Sequence, residues 1–335
     1  MNVLFIYAGM HPAHRPFVKA IKADVYPAYR SKAGGVRRFV EAFKMAKEYP
    51  DYDAYLLEGG MPMFPMYLRK KFFGKNGFVV GLLADETFIN LVERLPHYSK
   101  TETFVHKISC GVLDCAIAVS SFVKSYAENV IDVPIEVVKP PIPEESYKKL
   151  SNVKPNLESK VVVSVGEARY SIGMHYLVEQ FKIAKREVRD LELWIVGKGH
   201  PKGYEKVRGV RVLGYVEDLS EVFKEASLFV HAGISSAYPV STLEAMRVGL
   251  PVVVTDMTGT KEIVERVERV VGCEFVKPVN RLHEGIVSYF KLDIDDREKL
   301  SKMYREESKE FEPSKRAKEF KEKFEKLLEC LKRSE

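Results

Sequence analysis

Residues 231–256 have the residue types and the spacing of a site for phosphate and hydroxyl groups. They read as a strand, a polar loop and the amino terminus of a helix, and we expect Ser241 or Thr242 to cap that helix. The first amides of a helix have no partners within it, so a diphosphate can accept hydrogen bonds from them. Glu244 follows one turn later, where its carboxylate can accept hydrogen bonds from ribose hydroxyls. The segment therefore predicts a site for a nucleotide diphosphate.

Apolar runs that recur along the chain, with helical segments between them, predict the strands that position this site. These runs are residues 3–7, 54–57, 78–83, 115–119 and 135–138, then 161–165, 191–196, 210–213, 228–230 and 251–254. Continuous apolar runs separated by crossover helices are typical of parallel sheets buried on both faces. The sequence thus predicts two doubly wound α/β domains. Ligands are expected in a cleft between them, at the carboxyl ends of the strands.

A proline-rich polar stretch, residues 139–155, separates the two predicted sheets. We expect neither a helix nor a central strand to persist there. The first domain is therefore placed at residues 1–150 and the second at residues 151–312. Residues 313–335 are predicted to form a closing amphipathic helix that Ser314 can cap. Its apolar positions recur at helical spacing: Phe320, Phe324, Leu327, Leu328 and Leu331.

Length and composition indicate a globular enzyme. The chain has 335 residues, which favours two domains, and its 46% of hydrophobic residues excludes a disordered chain. The four cysteines lack the spacing of a disulfide framework or a zinc site. No basic segment precedes the first apolar run, and no apolar stretch reaches membrane-spanning length. We expect a cytoplasmic protein, and the single glutamine beside abundant Lys, Glu and Val is typical of thermophile proteins.

Residues 66–75 mix four cations with aromatic side chains. The first interpretation is a solvated helix whose aromatic residues face the core, and the second is peripheral contact with an anionic membrane, at its inner surface. Because the formal net charge of +6 is modest for this length, no nucleic-acid partner is predicted.

The run 243–246, followed by 249–253 and 259–264, resembles the donor-site signature of family 4 glycosyltransferases, group 1 type. Gly34 and Gly35 resemble the family's glycine pair, which opens the first long helix and approaches the donor. The resemblance implies the GT-B fold, with two Rossmann-like domains. It also implies transfer of a hexose from a nucleoside diphosphate sugar to a hydroxyl acceptor, with retention of the anomeric configuration. The acceptor expected is a glycan, a lipid-linked or a small molecule.

Several donor-side positions depart from the family pattern. The family has two glutamates eight positions apart; Glu244 matches the second, and Ser236 stands in place of the first. Tyr238 and Pro239 replace the usual aromatic-glycine pair. The strand that ends at Tyr215 and Val216 resembles the strand beside the nucleotide base.

The usual diphosphate cations are also replaced, by Glu167 and Ile172. Arg169 is the nearest substitute, and Lys198 or Arg37 are alternatives to it. A cation here would stabilise charge that develops on the departing diphosphate.

In the first domain, Asp85 stands at the strand end where the family has a histidine. It is interpreted either as a contact to the sugar or as a cap for the helix that follows. His97 or His106 could approach the sugar from the next segment instead.

No metal or other cofactor is required by the sequence. No Asp-x-Asp pair lies at a predicted strand end, and Asp293 is expected to cap the following helix. A dinucleotide-binding loop is the competing interpretation of residues 197–203. It is disfavoured because the glycine spacing is one residue too long and Pro201 leaves little room for a crossover helix.

Two other functions compete with glycosyl transfer. The departures at Glu167, Ile172 and Ser236 fit a catalytically silent protein that binds a nucleotide or a glycan. A sugar-nucleotide epimerase or a phosphorylase on the same fold is the other alternative.

Overall fold

Two parallel sheets of six strands each organise the chain in the computed structural model, which describes residues 1–28, 36–74 and 77–334. The first unit comprises residues 1–141 and 314–335, and the second comprises residues 142–313. The boundary predicted at residue 150 thus lies beyond this transition. Gly34 and Gly35 lie outside the described residues.

The first sheet has the strand order β2-β1-β3-β4-β5-β6. Its strands are β1 (Val3–Tyr7), β2 (Asp24–Pro27), β3 (Ala54–Glu58), β4 (Phe78–Leu83), β5 (Cys115–Ala118) and β6 (Ile135–Val137). All five runs predicted for this half are confirmed as strands, and β2 is the strand that the sequence did not predict. Its side chains are mostly exposed, so it lacks the continuous apolar run of a central strand.

Crossover helices connect these strands, as parallel pairing requires. They are α1 (Arg15–Ala20), α2 (Val36–Glu48), α3 (Met63–Phe73), α4 (Thr87–Glu93), α5 (Lys100–Ser109) and α6 (Ser121–Ala127).

Helix α3 carries the basic-aromatic segment, and its side chains do not follow the solvated-helix prediction. Arg69 is only 1% exposed, and its guanidinium donates to Asp51 Oδ1 at 2.6 Å. Lys70 Nζ lies 2.9 Å from Asp114 Oδ2, whereas Phe72 is 58% exposed. The prediction was wrong at these positions because Arg69 is held inside the unit. Its guanidinium also donates to the carbonyl oxygens of Ala46, in the last turn of α2, and of Pro50, just after that helix.

The second sheet has the strand order β12-β11-β10-β7-β8-β9. Its strands are β7 (Val161–Val165), β8 (Glu192–Val196), β9 (Val210–Gly214), β10 (Leu228–His231), β11 (Val252–Thr255) and β12 (Val276–Lys277). The helices of this unit are α7 (Glu144–Leu150), α8 (Met174–Glu187), α9 (Ser220–Glu225), α10 (Val240–Val248), α11 (Lys261–Val271), α12 (Leu282–Lys291) and α13 (Ile294–Glu307). The five predicted strands are confirmed, and Asp293 caps α13 by accepting from the amide of Asp296.

Helix α7 contradicts the prediction that residues 139–155 contain no helix. Pro143 immediately precedes its first turn, where a proline costs no helical hydrogen bond. Lys148 Nζ also lies 2.6 Å from Glu144 Oε1, one turn apart. The prolines therefore delimit this helix rather than prevent it.

The closing helix α14 (Pro313–Ser334) belongs to the first unit. The helix begins at Pro313, so Ser314 lies within its first turn, and the prediction that Ser314 caps it was wrong. The Phe320 ring stacks on the Phe17 ring with centroids 4.3 Å apart. Both side chains are fully buried.

Within the described ranges, no helix combines the length and the apolar character needed to cross a membrane.

We expect Phe320→Ala to destabilise the protein by about 3–5 kcal/mol, because it leaves a cavity against Phe17. The free energy of unfolding from denaturant titration, followed by circular dichroism, measures this loss. Lys318→Ala, on the exposed face of the same helix, should change it by less than about 0.5 kcal/mol. Equal effects of the two substitutions would show that Phe320 does not pack as described.

Candidate functional site

Two loops meet at the carboxyl edge of the second sheet, after β7 and β8. A Cβ added at Gly197 would lie 1.8 Å from the carbonyl oxygen of Gly166, and the φ angle of Gly197 is +142°. Only glycine permits this approach. The His200 ring nitrogen Nε2 lies 2.7 Å from the same carbonyl, and the Ala168 amide donates to Lys198 O at 2.9 Å. The two loops are thereby fixed against each other.

These glycines do not open a dinucleotide-binding helix. Between β8 and β9 the chain forms only a short 3-10 helix, Lys202–Lys206. A dinucleotide site needs an α-helix whose amino terminus faces the pyrophosphate. The expectation that a full crossover helix has no room here is therefore confirmed.

The candidate cations stand on these two loops. Arg169 Nη2 lies 2.9 Å from Glu167 Oε2, and the arginine side chain is 71% exposed. Lys198 Nζ lies 4.4 Å from the centre of the Tyr215 ring. Because β9 ends at Gly214, Tyr215 and Val216 follow the strand and were wrongly predicted as part of its edge. Both cations reach solvent beside the carboxyl edge.

A buried histidine and Ser236 form a polar pair after β10. His231 Nε2 lies 3.0 Å from Ser236 Oγ, and a Cβ at Gly233 would collide with both atoms. Burial lowers the pKa of His231 to about 4, so the ring is neutral at physiological pH. The Ser236 amide and carbonyl are bonded to Met257 O and to the Gly259 amide. Ser236 thus offers a neutral hydroxyl from a fixed backbone.

Helix α10 starts earlier than its sequence suggested. Pro239 occupies the cap position, and no side chain caps the helix, so the capping role predicted for Ser241 or Thr242 was wrong. The fixed φ of proline starts the helix before these residues, which places both inside the first turn. Ser241 Oγ donates instead to Val165 O at 3.4 Å, and Thr242 is buried. Tyr238 is also buried, with its ring 6.1 Å from that of Phe311.

Glu244 lies on the α10 face that meets α7. Its carboxylate is hydrogen-bonded to the Ser146 side chain, and burial raises its pKa despite this bond. One turn later, the Arg247 guanidinium stacks 3.9 Å from the centre of the Tyr147 ring and donates to Tyr147 O. Ser146 is a contact of the candidate site that the sequence did not predict.

In the first unit, Asp85 bridges two backbone amides after β4. Its Oδ2 accepts from the Gly60 amide at 2.8 Å, and its Oδ1 accepts from the Thr87 amide at 3.0 Å. The cap position of α4 is Glu86, with no side-chain cap, so the interpretation of Asp85 as the helix cap was wrong: the second bond instead closes the turn that precedes the helix. His97 pairs with Glu86 at 2.6 Å, and His106 is buried. Asp85 is therefore a positioned carboxylate.

In the described part of the chain, no three His, Cys, Asp or Glu side chains group closely enough to hold a metal ion.

The comparison with solved structures defines the fold class. The chain is similar to sucrose-phosphate synthase from Thermosynechococcus elongatus, with a TM-score of 0.75 and 15% identity over 98% of this chain and 100% of that one. It is also similar to HepE of Anabaena, solved in complex with UDP-glucose, with a TM-score of 0.72 and 15% identity over 97% of this chain and 100% of that one. The protein has the GT-B fold.

The sequence comparison identifies the second unit more closely. Residues 159–287 match the family model of group 1 glycosyl transferases. An uncharacterized glycosyltransferase of Haemophilus influenzae is 28% identical over 35% of this chain and 36% of its own length. One of Methanocaldococcus jannaschii is 31% identical over 32% of this chain and 30% of its own length. The match thus spans about a third of each curated relative, and the predicted resemblance to group 1 glycosyltransferases is confirmed for this segment.

We expect His231 to make stability depend on pH. Its pKa is lowered from 6.5 to about 4 in the folded state. As the pH falls below 6.5, the unfolded state therefore binds a proton that the folded state does not, and stability is lost until the folded state is also protonated below pH 4. Between pH 7 and pH 5 this group should remove about 2 kcal/mol of stability. His231→Gln should abolish that part of the loss in denaturant titrations at the two pH values, because all other groups contribute equally. An unchanged pH dependence in the variant would contradict the burial of His231.

Proposed function

We propose that this protein is a retaining glycosyltransferase that moves a hexose from a nucleoside diphosphate sugar to a hydroxyl acceptor. The observation that carries the proposal is the donor signature around Glu244, on helix α10, which begins after the carboxyl end of β10 in the second sheet. The carboxyl edge is where open α/β sheets bind ligands. The signature also lies inside the segment that matches group 1 glycosyl transferases. The acceptor proposed is a glycan, a lipid-linked or a small molecule.

In this proposal the second unit binds the donor. Glu244 accepts hydrogen bonds from the ribose, and the amides that begin α10, near Ser241 and Thr242, face the diphosphate. Arg169 and Lys198 supply the positive charge. The two cations stand on loops that are joined by the hydrogen bond from the Ala168 amide to Lys198 O, which supports a joint role at the diphosphate. Tyr215, which stacks with Lys198, then lies beside the base.

The bond between the anomeric carbon and the diphosphate oxygen breaks, and its electron pair leaves on the diphosphate. The acceptor hydroxyl forms a new bond to the anomeric carbon on the same face and gives its proton to the departing diphosphate. Negative charge grows on the diphosphate during this step, so the cations stabilise the transition state more than the bound donor. No step in the proposal needs a metal ion.

UDP-glucose is the first donor to test, since HepE was solved in complex with it. Ser236 and its partner His231 present a neutral pair where the family has a carboxylate, so we propose that Ser236 contacts the hexose hydroxyls and that the buried His231 positions it.

A catalytically silent nucleotide-binding protein is the second candidate. It is favoured by the pairing of Arg169 with Glu167 and by Ile172, which lies against Gly166 where a cation is usual. Release of free or transferred sugar from UDP-glucose, with EDTA present, would eliminate this candidate.

Peripheral membrane contact is a separate proposal for the end of α3. Because Arg69 and Lys70 are engaged within the unit, the contact depends on the exposed Lys71 and Phe72.

We expect Glu244→Gln to weaken UDP binding by about 1–3 kcal/mol, the range for losing charged hydrogen bonds. The same change removes a carboxylate whose ionised form is disfavoured by burial, so the melting temperature should stay equal or rise. Calorimetric titration with UDP and thermal unfolding measure the two effects. Glu221→Gln, at an exposed position of the same unit, should change neither. Full UDP affinity in Glu244→Gln would overturn the assignment of Glu244.

Arg169→Ala should lower turnover about a hundredfold at saturating donor, as expected when one group that stabilises the transition state is lost. Donor affinity should fall much less, because charge on the diphosphate is greatest in the transition state. The matched control is Arg189→Ala, which removes an arginine that is 96% exposed in the same unit. Turnover within about twofold of the parent would contradict the role of Arg169 and would indicate that Lys198 or Arg37 stabilises the departing diphosphate instead.

A further inference from the structure

A groove of about 820 Å³ opens in the first unit between α4 and α5. One wall is the α5 face that carries Lys100, Thr103, Phe104 and Lys107, which recur at the spacing of one helix face. The facing wall comes from the end of α4 and the loop after it, within residues 91–98. We call this concave surface the α4–α5 groove.

Two hydrogen bonds hold the walls of the α4–α5 groove in place. Asn90 of α4, which is fully buried, donates from Nδ2 to Thr103 Oγ1 of α5 at 3.0 Å. The amide of Tyr98 donates to Leu95 O at 3.1 Å, which closes the turn between the two helices. A ligand therefore meets a surface that is already formed, and its binding needs little ordering of the protein.

Large apolar side chains of the groove remain exposed. Phe104 is 63% exposed and Val92 is 41% exposed, whereas Leu95 and Cys110, which also line the groove, are buried. Exposed apolar surface with a polar rim is typical of sites that bind another molecule. The α4–α5 groove thus has the apolar centre that such a site needs.

The rim of the groove is cationic. Arg94, Lys100 and Lys107 line it, and its described lining contains no acidic side chain. None of the three cations forms an ion pair with a described residue. The acids beside them in the chain, Glu93 and Glu102, are bonded to side chains of α6 and α2. The groove therefore attracts an acidic ligand.

Arg94 stands where the backbone disfavours any side chain. It ends α4 in the left-handed conformation, with φ at +55°. Glycine adopts this conformation with the least strain and is the usual residue at such helix ends. A guanidinium at this position is thus maintained against the local conformational preference.

The positions of the cations indicate an elongated ligand. Lys100 and Lys107 are two turns apart on α5, about 10 Å along the helix axis, and Arg94 stands on the facing wall. A single phosphate or carboxylate is bound by cations that converge on it. A helix instead carries carboxylates along its length, and it fills a groove with its apolar face, which the flat surface of a bilayer cannot do.

We propose that the α4–α5 groove docks an acidic amphipathic helix of a partner protein. The apolar face of that helix packs on Phe104 and Val92, and its carboxylates pair with the three cations of the rim. No residue proposed for the donor or for catalysis takes part. The inference therefore does not rest on the proposed function.

The test selects helical peptides from a displayed library on the immobilised full chain. Each peptide has leucines at the spacing of one helix face, and its flanking positions vary among Glu, Gln and Lys. Peptides that bind the Arg94→Gly/Phe104→Ala double variant are removed first. The peptides retained by the parent should carry Glu at flanking positions two turns apart. Retention of no peptide, or of peptides rich in Lys or Gln, would overturn the proposal.

Fluorescence anisotropy of an enriched acidic peptide then locates the contacts. Phe104→Ala and Arg94→Gly should each weaken binding about tenfold, as expected for central interface residues. Neither should lower the melting temperature, because Phe104 is largely exposed and glycine relieves the strain at position 94. Lys44→Gln, on α2 and outside the groove, removes a lysine that is 74% exposed and should leave binding unchanged. Parental affinity in both groove variants would reject the site.

Two further measurements distinguish other occupants of the groove. Cosedimentation with phosphatidylglycerol vesicles, but not with phosphatidylcholine vesicles, that is lost in Lys107→Gln would assign the groove to an anionic lipid surface. Self-association in sedimentation equilibrium that is lost in the same variant would assign it to a second copy of this chain. Either result would overturn the proposal of a separate helical partner. Vesicle binding and self-association that are both unaffected by Lys107→Gln, together with weaker binding of the acidic peptide, would support it.

Discussion

The contact between two backbones, at Gly166 and Gly197, holds the candidate donor edge together. Strands β7 and β8 end side by side, and the missing side chain of Gly197 lets the second loop close onto the carbonyl of the first. His200 and the amide of Ala168 then bond across the same junction. Every cation proposed for the diphosphate in this unit stands on one of these loops. The electrostatics of the edge therefore depend on a steric constraint at one glycine.

The central strands could be predicted from the sequence because burial on both faces leaves an uninterrupted apolar run. β4 and β7 have the predicted bounds for this reason. β2 was not predicted because it is a largely exposed edge strand that ends in proline, and β12 was not predicted because it has only two residues. Periodicity reports burial, so elements with little burial leave little signal.

For the candidate site, the sequence proposed residues but could not predict the contacts that they make. The signature pointed to Glu244, but the hydrogen bond between Glu244 and Ser146 depends on α7. The prolines beside α7 had led to the prediction that no helix forms there. The buried His231 could have been noticed because it directly follows a predicted strand, but its partnership with Ser236 needs the missing side chain of Gly233, where a Cβ would collide with both atoms. Contacts of this kind are set by tertiary packing, for which a local pattern carries no information.

The closing helix has a consequence for synthesis of the protein. Phe17 and Phe320 come from opposite ends of the chain, whereas all of residues 142–313 lie between them. During translation, the second unit has every one of its strands before α14 leaves the ribosome, and the first unit must wait with the Phe17 surface uncovered. Domains generally fold as units, from the amino terminus first. Here the last step of folding follows the opposite order, because the unit that begins the chain is the last to complete its core. Until α14 packs, its uncovered Phe17 surface is exposed to association with other chains.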